Sequence, residues 1–438
     1  MLSQSDNEML CGVGPGTAMG DVMRQYWIPA FLSKELPNHD SDPMRLRLLG
    51  EDLIAFRDTG GRLGLLANSC AHRGASLFYG RNEDNGLRCV YHGWKYDVTG
   101  QCVDMPNEPD ESNFKNKIRQ KAYAIQERNG IVWAYLGPRQ APDLPGLPDL
   151  ESNMVDPEAT EIWTAMRNCN YMQALEGDID TSHLGFLHLG AIRPDEAPPK
   201  SFNYYTVSDK KPRYHVMDTD AGTMYAAYRP AEEDTYYYRF AQFLMPCFTM
   251  IPTNSLGTQI IFRAWVPLDD NHTMFWAVSA STNRAELKNP SFREAFAGTS
   301  RGPVYLENTS GWLGRWRLAN DATNDYGLDR DVQRAGKNSG IVGSYTGIDG
   351  IHLQDQAITE SMGAVYQRNQ EHLGTSDAMV IKTRKRLLSA ARALRDYGTQ
   401  PPGADDPAAY RVRSGGTILP RNADWLEATS TVRKAFTS

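Results

Sequence analysis

The chain has 438 residues, a formal net charge of −7 and 41% hydrophobic residues, which suffices for a large core divided over two or three domains. An acidic balance without a basic block argues against a nucleic-acid or anionic-membrane partner. No run of 18 apolar residues occurs. The N-terminus MLSQSDNEMLCGVGPG has no basic segment leading into an apolar one. Neither a membrane span nor a signal peptide is therefore expected, and the six scattered cysteines fit a reducing cytoplasm.

Residues 1–40 read as a helical lead-in that packs on the C-terminal part. GTAMGDVMRQYWIPAF keeps helical apolar spacing until Pro29 stops it. From 41 to 138 the pattern becomes short β segments: MRLRLLG, EDLIAFRD, LGLLANS, LRCVYH, WKYDVTG and GIVWAYLG, parted by Gly, Asn and Asp turns. PRQAPDLPGLPDLESN holds four prolines and reads as the linker. Residues 139–438 then form a third unit. It has a helical stretch around 168–190 and long half-buried strands in YRFAQFLMPCFTMI, TQIIFRAWVPL and TMFWAVSAS. Helices follow in LQDQAITESMGAVYQRNQ and the amphipathic DAMVIKTRKRLLSAARALRDYG. Cys11, Cys102, Cys169 and Cys247 are expected to be buried small hydrophobes.

The chemistry concentrates first in CAHRGASLFYGRNEDNGLRCVYHGW. Cys70-x-His72 and Cys89-x-x-His92 stand 16 residues apart. Zinc also takes two Cys and two His. Both halves sit in turns between β segments, with Gly74 and Gly93 just after the histidines, and glycine lets backbone N–H groups approach sulfide. That favours iron, because a Rieske [2Fe–2S] centre holds one iron with two Cys and the other with two His. GVGPG at 12–16 lacks a preceding strand, so no dinucleotide loop is expected.

The second constellation lies in NYMQALEGDIDTSHLGFLHLG, with His183 and His188. Residues five apart on an ideal helix point about 140° apart. To share a metal, the helix must break or widen into a π-turn, and Gly185 permits either. Two imidazoles and a carboxylate leave open positions for O₂ chemistry at non-haem Fe(II).

Cys70-Ala-His72-Arg73-Gly74 and Cys89-Val-Tyr-His92-Gly93-Trp94 resemble the Rieske motif of bacterial aromatic-ring-hydroxylating oxygenases. GRNEDNGLRCVYHGWKYDVTG, LEGDIDTSHLGFLH and QDQAITESMGAVYQRNQEHLG are most similar to the phthalate 4,5-dioxygenase branch. The resemblance implies an α+β chain. An all-β Rieske domain precedes a catalytic domain with an antiparallel sheet covered by helices, of helix-grip type. It implies one [2Fe–2S] cluster on Cys70, His72, Cys89 and His92, and one mononuclear Fe(II) on His183, His188 and Asp355. Glu360 is the second candidate carboxylate, and His352 is read as a supporting residue. The resemblance assigns Asp180 a bridge between an iron histidine and a Rieske histidine of the next subunit, hence a homotrimer or a stacked pair of trimers. Asp178 matches no such spacing and reads as a helix-start acid.

Respiratory Rieske proteins carry an extra Cys in each loop, where this chain has Ala75 and Tyr91, and follow the second His with Gly-Ser, where this chain has Trp94 after Gly93. Fewer hydrogen bonds to sulfur imply a low potential within the Rieske range.

The implied activity is that of a terminal oxygenase fed from NAD(P)H by a separate reductase of flavin and ferredoxin type. It would dihydroxylate an aromatic carboxylate, a phthalate-like acid or a substituted benzoate. O-demethylation or monohydroxylation of a lignin-derived methoxy acid is the alternative. An acid substrate needs a cationic anchor, and Arg213 and Arg239 on catalytic-domain strands are the candidates. A non-catalytic Rieske carrier or zinc module is the opposing class.

Overall fold

The computed structural model describes residues 2–109, 111–188, 202–252, 255–257, 260–280, 303–335 and 345–435. The lead-in forms two short helices, α1 (Gln4–Cys11) and α2 (Ala18–Met23), capped by the Ser3 and Thr17 hydroxyls. The expected helix does not run on to Pro29. Trp27–Leu32 is strand β1 instead, paired with a later strand of the β-rich region. Aromatic and β-branched side chains in WIPAFL favour a strand, and Pro29 is tolerated because β1 lies at a sheet edge. Hydrogen bonds tie the lead-in to the C-terminal part: Val13 N–H donates to Asp270, and the Arg368 guanidinium donates to Asn7.

The β-rich region holds β2 (Met44–Leu48), β3 (Glu51–Arg57) and β4 (Leu63–Ala67) as one antiparallel meander. A second sheet runs through β5 (Arg81–Glu83), β6 (Gly86–Arg88), β7 (Lys95–Tyr96) and β8 (Cys102–Asp104). Then β9 (Ala124–Arg128) and β10 (Ile131–Tyr135) join β1 in a third, in the order β1-β10-β9. The β3–β4 and β5–β8 segments enclose their own small core of Ile54, Phe56, Leu66, Leu77, Leu87, Trp94 and Tyr96, with Cys70, Cys89 and Cys102 at its edge.

The C-terminal part is one eight-stranded antiparallel sheet with helices against it. It contains β11 (Thr160–Arg167), β12 (Arg213–Thr219), β13 (Gly222–Pro230), β14 (Thr235–Leu244), β15 (Phe248–Met250), β16 (Ile260–Pro267), β17 (Thr273–Ala280) and β18 (Gly415–Pro420). The path is β11-β17-β16-β15-β14-β13-β12, with β18 added on β14. YRFAQFLMPCFTMI, read as one strand, is the β14–β15 hairpin, whose turn carries Pro246 and Cys247. Proline has no N–H for the ladder, so the strand turns there. Three helices matter to the site: α3 (Tyr171–Asp178), α4 (Ile351–Ser361) and α5 (Ala378–Tyr397).

Several attachments fix the β-rich region to the sheet, among them the packing of Trp133 on Phe248 and Phe262 and two sets of hydrogen bonds. The β2–β3 turn donates Leu49 and Gly50 N–H to the Pro267 and Leu268 carbonyls. A hairpin over 303–320 reaches the other way. It is tied to β11 by Met166 N–H to Trp316 and by Tyr305 Oη–H to Thr164, at 2.9 and 2.8 Å. Its Arg315 meets Glu35 in two bonds of 2.7 Å, and the Arg45 guanidinium donates to Ser310.

Candidate metal centres and active site

The first centre is built from two matching loops. Cys70 N–H donates to Ala75 and Gly74 N–H to Cys70; Cys89 N–H donates to Trp94 and Gly93 N–H to Cys89. Gly74 and Gly93 sit at φ +75° and +79°, a region that side chains resist, so these two glycines close the loops. Both cysteines are buried, and the His72 and His92 rings lie 4.4 Å apart. His72 Nδ1 is buried without a hydrogen-bond partner among the described residues. Burial and the neighbouring Cys70 push the Cys89 thiol up, while the backbone N–H groups of Tyr91 and His92 pull against them. An orphaned imidazole nitrogen and two crowded sulfurs are the donor set that an iron–sulfur cluster satisfies.

Trp94 stacks on His72 at 4.3 Å and donates through Nε1 to Asn107, so it offers nothing to sulfur. Tyr96, absent from the sequence reading, does: its hydroxyl is 3.2 Å from Cys70 Sγ. Its position two residues past Trp94 on β7 was the available signal.

The second centre forms where α3 ends. The helix stops at Asp178, and His183–Gly185 makes one 3₁₀ turn, so the chain breaks rather than widens between the histidines. His183 Nε2 and His188 Nε2 are 3.2 Å apart. Asp355 Oδ1 lies 3.2 Å from His188 Nε2 and 3.8 Å from His183 Nε2. Neighbouring ligands about 2.1 Å from an octahedral ion stand about 3 Å apart, so the trio matches a facial set.

Burial opposes charge on Asp355, yet His188 and His183 outweigh it and hold the carboxyl well below its usual range. Burial likewise opposes a proton on His183, and Asp180 and Asp355 overcome it and raise the imidazole. The cluster favours positive charge at its centre, which suits a metal ion.

Asp180 touches His183 Nδ1 at 3.3 Å and accepts from the Ser182 N–H and hydroxyl at 2.6 Å. His352 packs at a tilt against the Trp163 and Phe275 rings, outside the trio. Glu360 is already engaged, accepting from Asn168 N–H, Gln356 and Tyr326. Asp178 is no helix-start acid. It closes α3 with its side chain 6% exposed, and accepts from Thr249, Arg263 and Trp265, which anchors the helix end to the sheet.

Residues 26–122 match the Rieske [2Fe-2S] domain family and residues 134–436 the LigXa C-terminal domain like family. The chain is 44% identical over 432 residues to the 3-chlorobenzoate-3,4-dioxygenase oxygenase subunit of Comamonas testosteroni, covering 98% of both. The chain belongs to the Rieske oxygenases. It is also 36% identical over 438 residues to the phthalate 4,5-dioxygenase oxygenase subunit of Pseudomonas putida, covering 98% of this chain and 94% of the relative. The structure of dicamba monooxygenase bound to dicamba shares the fold at a TM-score of 0.55 and 16% identity, covering 85% of this chain and 98% of that one. This Rieske oxygenase is therefore an oxygenase subunit with a [2Fe–2S] cluster and a mononuclear iron. Its architecture is an all-β Rieske part followed by an antiparallel sheet with helices.

The oxygenase's sheet also separates the two candidate arginines. Arg213 pairs with Tyr228 at the start of β12 and is exposed, on the face opposite Arg239. It does not share the face of Arg239; the period-two pleat turns it outward. The inner face instead carries Tyr214, Tyr225, Arg229, Tyr237 and Arg239, with Arg229 opposite Tyr237 and Arg239 opposite Ala227. Both arginines are buried, at 2% and 4% exposure. Arg229 Nε donates to the Asp209 carbonyl, and its Nη1 has no partner among the described residues. Burial and the adjacent Arg239 pull the Arg229 guanidinium down to about 10. Tyr214 and Tyr225 lie within electrostatic reach of Asp180 and both arginines, which places this face beside the histidine loop. Arg229 was legible only as alternation, in Tyr225-x-x-x-Arg229 and Tyr237-x-Arg239.

No helix among the described residues is long and apolar enough to cross a membrane.

Proposed function

We propose that this subunit is the terminal oxygenase that dihydroxylates an aromatic carboxylate of the benzoate or phthalate kind, and that Arg229 and Arg239 hold the carboxylate. The observation that carries the reading is the buried Nη1 of Arg229, left without a partner among the described residues beside a second buried guanidinium. An unpaired buried charge costs several kcal/mol, and a substrate anion offsets that cost. The names of both relatives, which act on 3-chlorobenzoate and phthalate, support the same class.

Cys70, His72, Cys89 and His92 would hold the cluster, within a Rieske domain over 41–138. His183, His188 and Asp355 would hold the iron, in a catalytic domain over 139–438. When bound, the two centres supply one-electron transfer and O₂ activation. Asp180 fixes the His183 ring by accepting at Nδ1. It keeps 23% of its side chain exposed, room for a second imidazole from another copy of the chain. Val90 and Tyr91 at the Rieske tip are 58% and 56% exposed beside His92, which suits a tip that seats on a neighbour in a ring of three or a stacked pair. Electrons come from NAD(P)H through a separate flavin- and ferredoxin-type reductase, as the word "subunit" in the relatives' names supports.

Equilibrium binding of benzoate, 3-chlorobenzoate and phthalate tests the reading, with benzamide as the neutral counterpart. Arg229→Met should weaken the acids by about thirty- to several-thousand-fold, since truncating one partner of a buried charge pair costs about 2–5 kcal/mol. Benzamide should bind the variant and the parent alike. Acids that bind the variant as well as the parent would move the anchor away from this face.

A further inference from the structure

Helix α4 delivers two adjacent side chains to the mononuclear centre. Asp355 supplies a carboxylate, and Gln354, one residue before it, places Oε1 2.7 Å from His188 Nδ1. Gln354 is buried, and its other end is fixed: Nε2 donates to the Ile348 carbonyl at 2.8 Å. A carbonyl only accepts, so the amide NH₂ must face Ile348, and Oε1 must face His188. Oε1 also only accepts, so His188 must carry its hydrogen on Nδ1. A neutral imidazole has a single N–H, which leaves the Nε2 lone pair aimed at the point shared with His183 and Asp355. His183 is oriented differently, by the Asp180 carboxylate at 3.3 Å.

We infer that Gln354 is a positioning residue that commits His188 to Nε2 ligation through a neutral acceptor, while Asp180 commits His183 through an anionic one. The inference rests on His183, His188 and Asp355 being the iron ligands. The unequal pair gives the two imidazoles different basicity toward one metal, because a carboxylate partner raises ligand basicity more than an amide does. Gln354 reaches His188 from the same helix as Asp355, so two of the three ligands depend on the placement of α4.

The test uses the full chain, freed of mononuclear iron and titrated anaerobically with Fe(II), and in parallel with Co(II), whose visible spectrum reports ligand geometry. Gln354→Leu keeps size and removes the acceptor. It should weaken Fe(II) binding about 10–100-fold and alter the Co(II) spectrum, with the Rieske signal unchanged. Gln354→Glu keeps an oxygen facing Nδ1; protonated, it can also donate to Ile348. It should restore Fe(II) binding to within a few-fold of the parent. If His188→Ala and Asp355→Ala hold Fe(II) like the parent, the ligand reading itself is wrong. If those two lose Fe(II) while Gln354→Leu keeps the parent affinity and Co(II) spectrum, only the positioning role is overturned. Equal loss in Gln354→Leu and Gln354→Glu would also overturn it, because shape rather than hydrogen-bond acceptance would then govern the metal.

Discussion

Tyr96 contributes a hydrogen bond that the loop residues around it do not. Its hydroxyl sits 3.2 Å from Cys70 Sγ, whereas the Trp94 indole is spent on Asn107. A donor on sulfur stabilises the electron-rich reduced cluster. Tyr96→Phe should therefore lower the Rieske potential by about 40–60 mV, from about 1 kcal/mol per hydrogen bond and 59 mV per tenfold for one electron. Protein-film voltammetry would show it, and an unchanged potential would mean the contact is not made in the holoprotein. Asp355→Ala should reduce iron from three per chain toward two, the Rieske pair alone, while the cluster keeps its EPR signal. Asp180→Asn keeps size but weakens acceptance at His183 Nδ1. Both centres should stay loaded while oxidation of the reduced cluster under O₂ and substrate slows, as stopped-flow absorbance would record. Parent-like rates would remove Asp180 from the electron route. The cysteines and histidines proposed as ligands were legible in the sequence because each group lies in one short stretch of fixed spacing, whereas Asp355, far along the chain, was reached only through the family resemblance. Arg229 was not, because an arginine's worth depends on which face of a strand it takes and on whether a carboxylate meets it.

Among the elements, α3 is tied to several partners at once. Its Glu176 is largely covered, with 12% of its side chain exposed, and meets Arg368 at 3.1 Å and Arg384 at 2.6 Å, which ties the helix to α5 and to the segment after α4. Burial would raise this carboxyl, but the two guanidiniums outweigh it and hold it below its ordinary 4.5. A lowered carboxyl contributes its stability in full above that ordinary value and loses it as pH falls through the folded-state value. Glu176→Gln should cost about 3–5 kcal/mol at pH 7, since it leaves buried guanidiniums short of a partner. Urea midpoints of parent and variant should converge as the pH falls below about 4.5. A gap that persists in acid would show that packing, not charge, holds α3. Sequence periodicity located α5 because a 20-residue amphipathic helix announces itself; α3 and α4 are shorter than the helical stretches read around 168–190 and over 353–370. It mistook the β14–β15 hairpin for one strand, since both arms are apolar and only Pro246 marks the turn. It also carried the lead-in helix through Trp27–Leu32, where strand pairing with β10 overrides the helical spacing.

At the scale of the molecule, one continuous core runs from the lead-in through β1 and β10 into the eight-stranded sheet, and the cluster-bearing loops have a separate small core. The order of the parts was readable from composition and turns. Their mutual placement was not, because it depends on contacts between residues more than two hundred positions apart. The 303–320 hairpin is the clearest of these. It is bonded to β11 at one end and clamps Glu35 and Arg45 at the other, while the β2–β3 turn is held independently at Pro267 and Leu268. A domain held at these points and through a shared core cannot swing. Delivery of an electron from the Rieske tip should then proceed without a diffusive excursion, at a rate indifferent to the friction of the solvent. Adding sucrose to raise viscosity should leave the intersite rate of the parent protein unchanged.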